Sequence, residues 1–185
     1  MSEQLTIAGK AIALRAPAPA DQAALAQFAA SVPLHDLLFI DRDLRHPKVV
    51  EAWLRGQESG AILSLIAIDG DEIVATIAAV SDRLSWSAHV WDVRLLVAPD
   101  WRGKGLGRVL LERTIAAAAA KGATRLTARM TPDQTGAITL FEECGFRAEA
   151  LLQGQLRDAG GALHDLAVLA MDPARQAARR EAFGE

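Results

Sequence analysis

At 185 residues and 19.7 kDa the chain has the length of one domain, large enough to bury a core without disulfide or metal staples. Hydrophobic residues make up 51% and charged residues 23%, which excludes disorder, collagen and coiled coil as readings of the whole chain. A net charge of −3 argues against a dedicated nucleic-acid binder, and one cysteine excludes a disulfide framework or a multi-cysteine metal site.

The start, Met1-Ser2-Glu3-Gln4, lacks the basic end and apolar run of a signal peptide. No segment approaches the roughly 18 charge-free apolar residues of a membrane helix, since the run Ala116 to Ala120 is flanked by Glu112, Arg113 and Lys121. The reading is a cytoplasmic protein without membrane contact. Tyrosine is absent, which removes one catalytic acid.

Leu5 to Leu14 alternates loosely and predicts a strand ending near Arg15, with Gly9-Lys10 as a candidate turn. Asp21 is placed to cap a helix with Ala24, Leu25 and Phe28 on its apolar face. Ser31 to His46 is irregular and charged. A second helix starts after Pro47 and stops at Gly60. Ala61 to Ile68 and Glu72 to Val80, joined by Asp69-Gly70-Asp71, read as a hairpin, and His89 to Ala98 as a third strand. Leu106 to Lys121 is a helix, Thr124 to Met130 a strand and Thr135 to Cys144 a short helix. Phe146 to Leu156 and Leu163 to Met171 form a last strand pair. Residues 1–172 are then one domain, and the Arg- and Ala-rich 173–185 is a short tail, a frayed helix. The order predicts an α/β (α+β) fold with a mixed, mostly antiparallel sheet flanked by helices.

The richest stretch runs from Leu95 to Arg108. A strand ends, Gly103, Gly105 and Gly107 fall within five residues, and a long helix begins. The first turn of a helix has N–H groups without partners and a partial positive charge, and glycine lets backbone approach an anion. Arg102, Lys104 and Arg108 add charge around the loop. The spacing does not match a P-loop. A dinucleotide fingerprint requires an acid about 20 residues on, where Ala128-Arg129-Met130 stands, so NADP held through Arg129 is an open alternative at this point.

Arg102-Gly103-Lys104-Gly105-Leu106-Gly107, with Leu95-x-Val97-x-Pro99 before it and Leu140-Phe141-Glu142-Glu143-Cys144-Gly145-Phe146 after it, resembles the signatures of the GNAT superfamily of acyl-CoA-dependent N-acetyltransferases. The resemblance implies acetyl-CoA as co-substrate. The loop residues Arg102, Gly103, Lys104, Gly105, Leu106, Gly107 and Arg108 would hold its pyrophosphate. The backbone of Leu95, Leu96 and Val97 would pair with the pantetheine arm where that strand splays from Thr124–Met130, and Gln134 and Phe141 would contact the cofactor. An amide of Leu96 or Val97 would serve as oxyanion donor. The reaction so implied is direct attack of a primary amine on the thioester in a ternary complex.

The chain departs from the pattern at two points. Phe141 stands where the family often has a tyrosine acid, and Arg129 stands where one subgroup carries a glutamate base. Asp92 is a candidate base, weighed against a role as ion-pair partner of Arg94. His89 can titrate near neutral pH, and water can carry the proton. Cys144 reads as a buried thiol, His164-Asp165 as a hairpin surface pair, and the four histidines show no metal-ligand spacing.

On the acceptor side the resemblance points to Pro33–His46, where Asp36, Asp41 and Asp43 are candidates to attract a cationic amine, set against Arg42, Arg45 and His46 in a charge-balanced loop. Trp86 and Trp91 are candidates for an apolar wall. The acceptor, small molecule or peptide, is not specified, and a homodimer through a sheet edge or the tail is compatible with the chain. A sensor module that binds acyl-CoA without turnover is the alternative function.

Overall fold

The computed structural model describes residues 2–40 and 42–184. It contains an eight-stranded sheet in the order β1-β2-β3-β4-β5-β6-β8-β7. The strands are β1 (Glu3–Ile7), β2 (Lys10–Arg15), β3 (Ile62–Asp69), β4 (Glu72–Val80), β5 (Val90–Val97), β6 (Arg125–Met130), β7 (Arg147–Arg157) and β8 (Leu163–Met171). Every neighbouring pair is antiparallel except β5 and β6. The single amino-terminal strand expected from sequence is two strands, because Ala8 and Gly9 turn the chain with φ of 50° and 78°.

The helices are α1 (Gln22–Ser31), α2 (Pro47–Ser59), α3 (Leu106–Ala120), α4 (Thr135–Glu143) and α5 (Pro173–Phe183). The carboxy-terminal segment is thus an eleven-residue helix lying against α3. Helix α2 begins where His46 Nδ1 accepts the Lys48 amide at 3.2 Å and Pro47 takes the first helical position, where its missing N–H removes nothing. Among the described residues no helix is long and apolar enough to cross a membrane.

The sheet has a core on each face. On one, α3 buries Leu106, Leu110, Leu111 and Ala118 against Ala75, Ile77, Trp91 and Val93, and α4 adds Phe141. The spacing of the α3 residues keeps them on one stripe of a 3.6-residue period. On the other, α1 and α2 pack Leu25, Phe28, Val50, Trp53 and Leu54 over Ile66, Ala78 and Leu96. Strand β5 therefore sends Trp91 and Val93 to one core and Leu96 to the other.

A glycine loop beside a splayed strand pair

The site follows from one irregularity in the sheet. Strands β5 and β6 pair only from Val90↔Arg125 to Val93↔Ala128, although β5 continues to Val97 and β6 to Met130. Beyond Val93 the two strands part, and a cleft of about 750 Å³ lies between them and the start of α3.

Two bonds fix which backbone groups of β5 face that cleft. The Ala98 amide donates to the Val74 carbonyl at 2.9 Å, and the His89 carbonyl accepts from the Thr124 amide at 3.1 Å. Backbone groups alternate sides along a strand, so both observations set the same parity. Arg94 and Leu96 turn their amides and carbonyls to β4, whereas Val93, Leu95 and Val97 turn theirs toward β6. Past the splay, the groups of Leu95 and Val97 face the cleft. Of the two oxyanion donors expected from sequence, Val97 faces it and Leu96 does not. The Val97 carbonyl accepts from Arg102 Nε at 3.1 Å.

Pro99–Trp101 makes a tight turn, Gly103 and Gly105 adopt φ of 69° and 85°, and α3 starts at Leu106. These positive angles suit glycine. A Cβ built at either position meets nothing within 4 Å, so the space in front of the loop is clear. Gly107 has a different reason. A Cβ there would lie 3.1 Å from Leu140 Cδ2 and 3.5 Å from Leu95 Cδ2, so its hydrogen lets α3, α4 and β5 close together. The first helical bond is Val109 N–H to Gly105 O, and among the described residues the six amides from Gly103 to Arg108 donate to no protein acceptor.

The three cations predicted around the loop diverge. Arg102 donates to Asp36 Oδ2 at 2.6 Å as well as to Val97. Arg108 pairs with Glu143. Lys104 Nζ lies 5.3 Å over the Trp101 ring, and Leu106 is fully buried, so these two residues offer the loop their amides. Gln134, at the start of α4, accepts the Thr131 amide on Oε1 at 3.1 Å, and Phe141 is buried edge-to-face against Phe146 at 5.0 Å while lining the cleft.

A short 3-10 turn, Leu34–Leu37, straps the cleft mouth. Asp36 reaches Arg102 on one wall and Gln134 Nε2, at 3.4 Å, on the other. His35 Nε2 lies 3.1 Å from Thr131 Oγ1 and 2.8 Å from Asp133 Oδ2. The Thr131 hydroxyl, aided by His35, holds the Asp133 carboxyl below the ordinary carboxylate range. His35 and Asp133 were not singled out from the sequence, where nothing relates a segment near residue 35 to one near 133.

Asp92 does not sit free as a base. Its Oδ2 accepts from Arg94 Nε at 2.7 Å and from Arg129 Nη2 at 2.9 Å, so it centres an ion-pair cluster behind the splay. Of the acidic loop residues, Asp36 is engaged as above, Asp43 pairs with Arg45, which holds it at about 2, and Asp41 lies outside the described residues. Trp91 is buried in the α3 core and Trp86 is fully exposed, so neither walls the cleft. His89 is exposed at the start of β5, Cys144 is buried, and His164 pairs with Asp158 at 2.8 Å.

A second cavity of about 620 Å³ lies across β5, under α2 and lined also by Ile40, Arg42 and Leu44. Leu96 lines both spaces.

The match to known proteins decides the family. Residues 30–146 match the acetyltransferase (GNAT) family. The chain belongs to that family. It is 32% identical over 105 residues to the streptothricin acetyltransferase of Streptomyces lavendulae, an alignment that spans 55% of each protein, so it matches about half the length of that relative. Among solved structures, the ribosomal-protein-S5-alanine acetyltransferase of Vibrio fischeri superposes with a TM-score of 0.76 at 16% identity, covering 94% of this chain and 97% of that one. The yncA protein of Salmonella typhimurium, solved with its cofactor acetyl-CoA, gives 0.75 at 21% identity, covering 88% and 94%. These likenesses establish the GNAT fold, including the mostly antiparallel sheet read from the sequence.

Proposed function

We propose that this GNAT acetyltransferase moves an acetyl group from acetyl-CoA to a primary amine by direct attack. The observation that carries the reading is the row of six unpartnered amides, Gly103 to Arg108, at the end of a strand whose neighbour has splayed away. Amides converging at a helix start suit a pyrophosphate. The cleft-facing groups of Leu95 and Val97 suit an extended arm laid along β5 as an added strand.

In this reading the amine nitrogen attacks the thioester carbonyl carbon, the Val97 amide steadies the oxygen as it gains charge, and the carbon–sulfur bond breaks. The amine must lose a proton and the thiolate gains one. Phe141 carries no proton to give and the carboxylate of Asp92 is shared by two guanidinium groups, so water takes both proton transfers. The acyl-CoA sensor is the second reading, favoured by the missing hydroxyl at Phe141. Purified protein should release thiol from acetyl-CoA only when an amine is supplied. Calorimetric binding of CoA with no release across a broad amine panel would transfer the assignment to the sensor.

A further inference from the structure

We infer that His35 is the proton acceptor of the transfer step, reached through a water of the cleft, and that Thr131 and Asp133 orient its ring. This rests on the transfer reading above and names where the proton of the amine goes.

The network around the ring sets its chemistry. His35 Nε2 lies 2.8 Å from Asp133 Oδ2 and 3.1 Å from Thr131 Oγ1. An ionised carboxylate only accepts, so the proton of the neutral ring stands on Nε2 and the lone pair on Nδ1. Among the described residues no group bonds Nδ1. The side chain lines the cleft and is 36% exposed, so the ring meets water there.

Position singles out this group among the bases. Thr131 and Asp133 follow β6, and counted on from Val93↔Ala128, Val97 stands level with Pro132, between them. The same strap is tied to Val97 from the other side, because Arg102 donates to the Val97 carbonyl at 3.1 Å and to Asp36 at 2.6 Å. His35 thus stands across the gap from the strand end whose amide is proposed to steady the oxygen. Asp92 is shared by two guanidinium groups, and His89 lies at the far end of β5. The other titratable neighbour is His164 of β8, whose ring is edge-on to His35 at 5.4 Å and pairs with Asp158 at 2.8 Å. A positive charge on His35 therefore meets Asp133 on one side and a histidine already matched with a carboxylate on the other. As the nitrogen–carbon bond forms and the carbon–sulfur bond breaks, the amine proton passes to a water and from it to Nδ1. The thiolate takes a proton from water, and the imidazolium returns its own to the hydroxide left behind, so His35 ends the turnover neutral.

The test uses the intact protein, acetyl-CoA and a broad amine panel that includes leucine, spermidine and a peptide with a free amino-terminal alanine. His35→Gln keeps an N–H for Asp133 and loses the basic nitrogen. It should lower kcat about 100-fold at neutral pH, with CoA affinity in calorimetry within about threefold of the native value. Native kcat should rise with pH to a plateau, and the variant should lack that limb. Imidazole added to His35→Ala should restore part of the loss. Asp133→Asn should lower kcat about tenfold with the KM for acetyl-CoA unchanged. Histidine nitrogen NMR, with the His35 signals identified by their absence from His35→Gln, should show the Nε2–H tautomer. An Nδ1–H tautomer, or a His35→Gln variant with native kcat and its acid limb intact, overturns the assignment and leaves acetyl transfer standing. Native protein that releases no thiol with any amine of the panel removes transfer, and the proton acceptor with it.

Discussion

On the α3 side of β5 the cleft presents backbone: the amides of Gly103 to Arg108 and the cleft-facing groups of Leu95 and Val97. On the α1–α2 side the cavity presents side chains: Arg42, Arg94, Asp82 and an apolar wall around Trp53. The first site is made by chain conformation and so tolerates a change of side chain wherever the glycines stay. The second is made by residue identity, and its chemistry changes with a single substitution.

The hardest blow to the backbone side is Gly105→Asp. Its φ of 85° strains any L-residue by roughly 1–2 kcal/mol, and the new carboxylate would face the proposed phosphate site. CoA affinity should fall at least about 100-fold, with thermal unfolding only modestly lowered. Gly105→Ala separates the two causes, since its Cβ has room and carries no charge. It should lose far less affinity. Equal affinity in all three proteins would break the backbone account.

The Arg15–Asp21 pair at the start of α1 should be sensitive to acid. Asp21 leads into α1 and accepts two bonds from Arg15, at 2.6 and 2.7 Å, and one from the Ala18 amide at 2.7 Å. Arg15 above all holds its carboxyl below the ordinary range. A depressed folded value means the stabilisation is full above the ordinary carboxylate pKa, near about 4, and is lost as pH falls through the folded one. Asp21→Asn should cost about 2 kcal/mol at neutral pH and flatten the acid limb of a thermal unfolding series, with CoA affinity unmoved.

This division also explains what could be read from the residues alone. The glycine spacing, the helix after it and the Gly-Phe close of α4 announce themselves locally, because a backbone site needs particular residues close together in the chain. Contacts between side chains distant in sequence do not. Asp36 meets Arg102 across 66 residues, and Asp92 meets Arg129 across 37. No spacing rule relates such pairs, so Asp36 reads as an attraction for cations until the fold pairs it with Arg102. The choice between Leu96 and Val97 likewise needed the pairing parity of β5, which strand alternation alone leaves undetermined.

A smaller effect tests the strap over the cleft. Arg102 is shared between Asp36 and the Val97 carbonyl at the head of the glycine loop, and a guanidinium held by a carboxylate is less available to an incoming anion. Asp36→Asn should therefore tighten CoA about threefold, the gain limited because the pair is half-exposed on the Arg102 side. Weaker CoA binding in calorimetry would show that the strap's order matters more than its charge.

The smallest change is expected at Phe141→Tyr. The leaving thiol has a pKa near about 8.5, so its thiolate departs from a tetrahedral centre far more readily than an amide nitrogen would, and a proton donor has little barrier left to remove. The ring is buried against Phe146 and also lines the cleft, so an added hydroxyl is satisfied only if it reaches that cleft. We expect kcat to change by no more than about threefold across neutral pH. An increase of tenfold or more, growing as pH rises toward the thiol pKa, would mean that protonation of sulfur limits the native protein. The comparison would then gain a third term: a backbone site slowed by one missing side-chain oxygen.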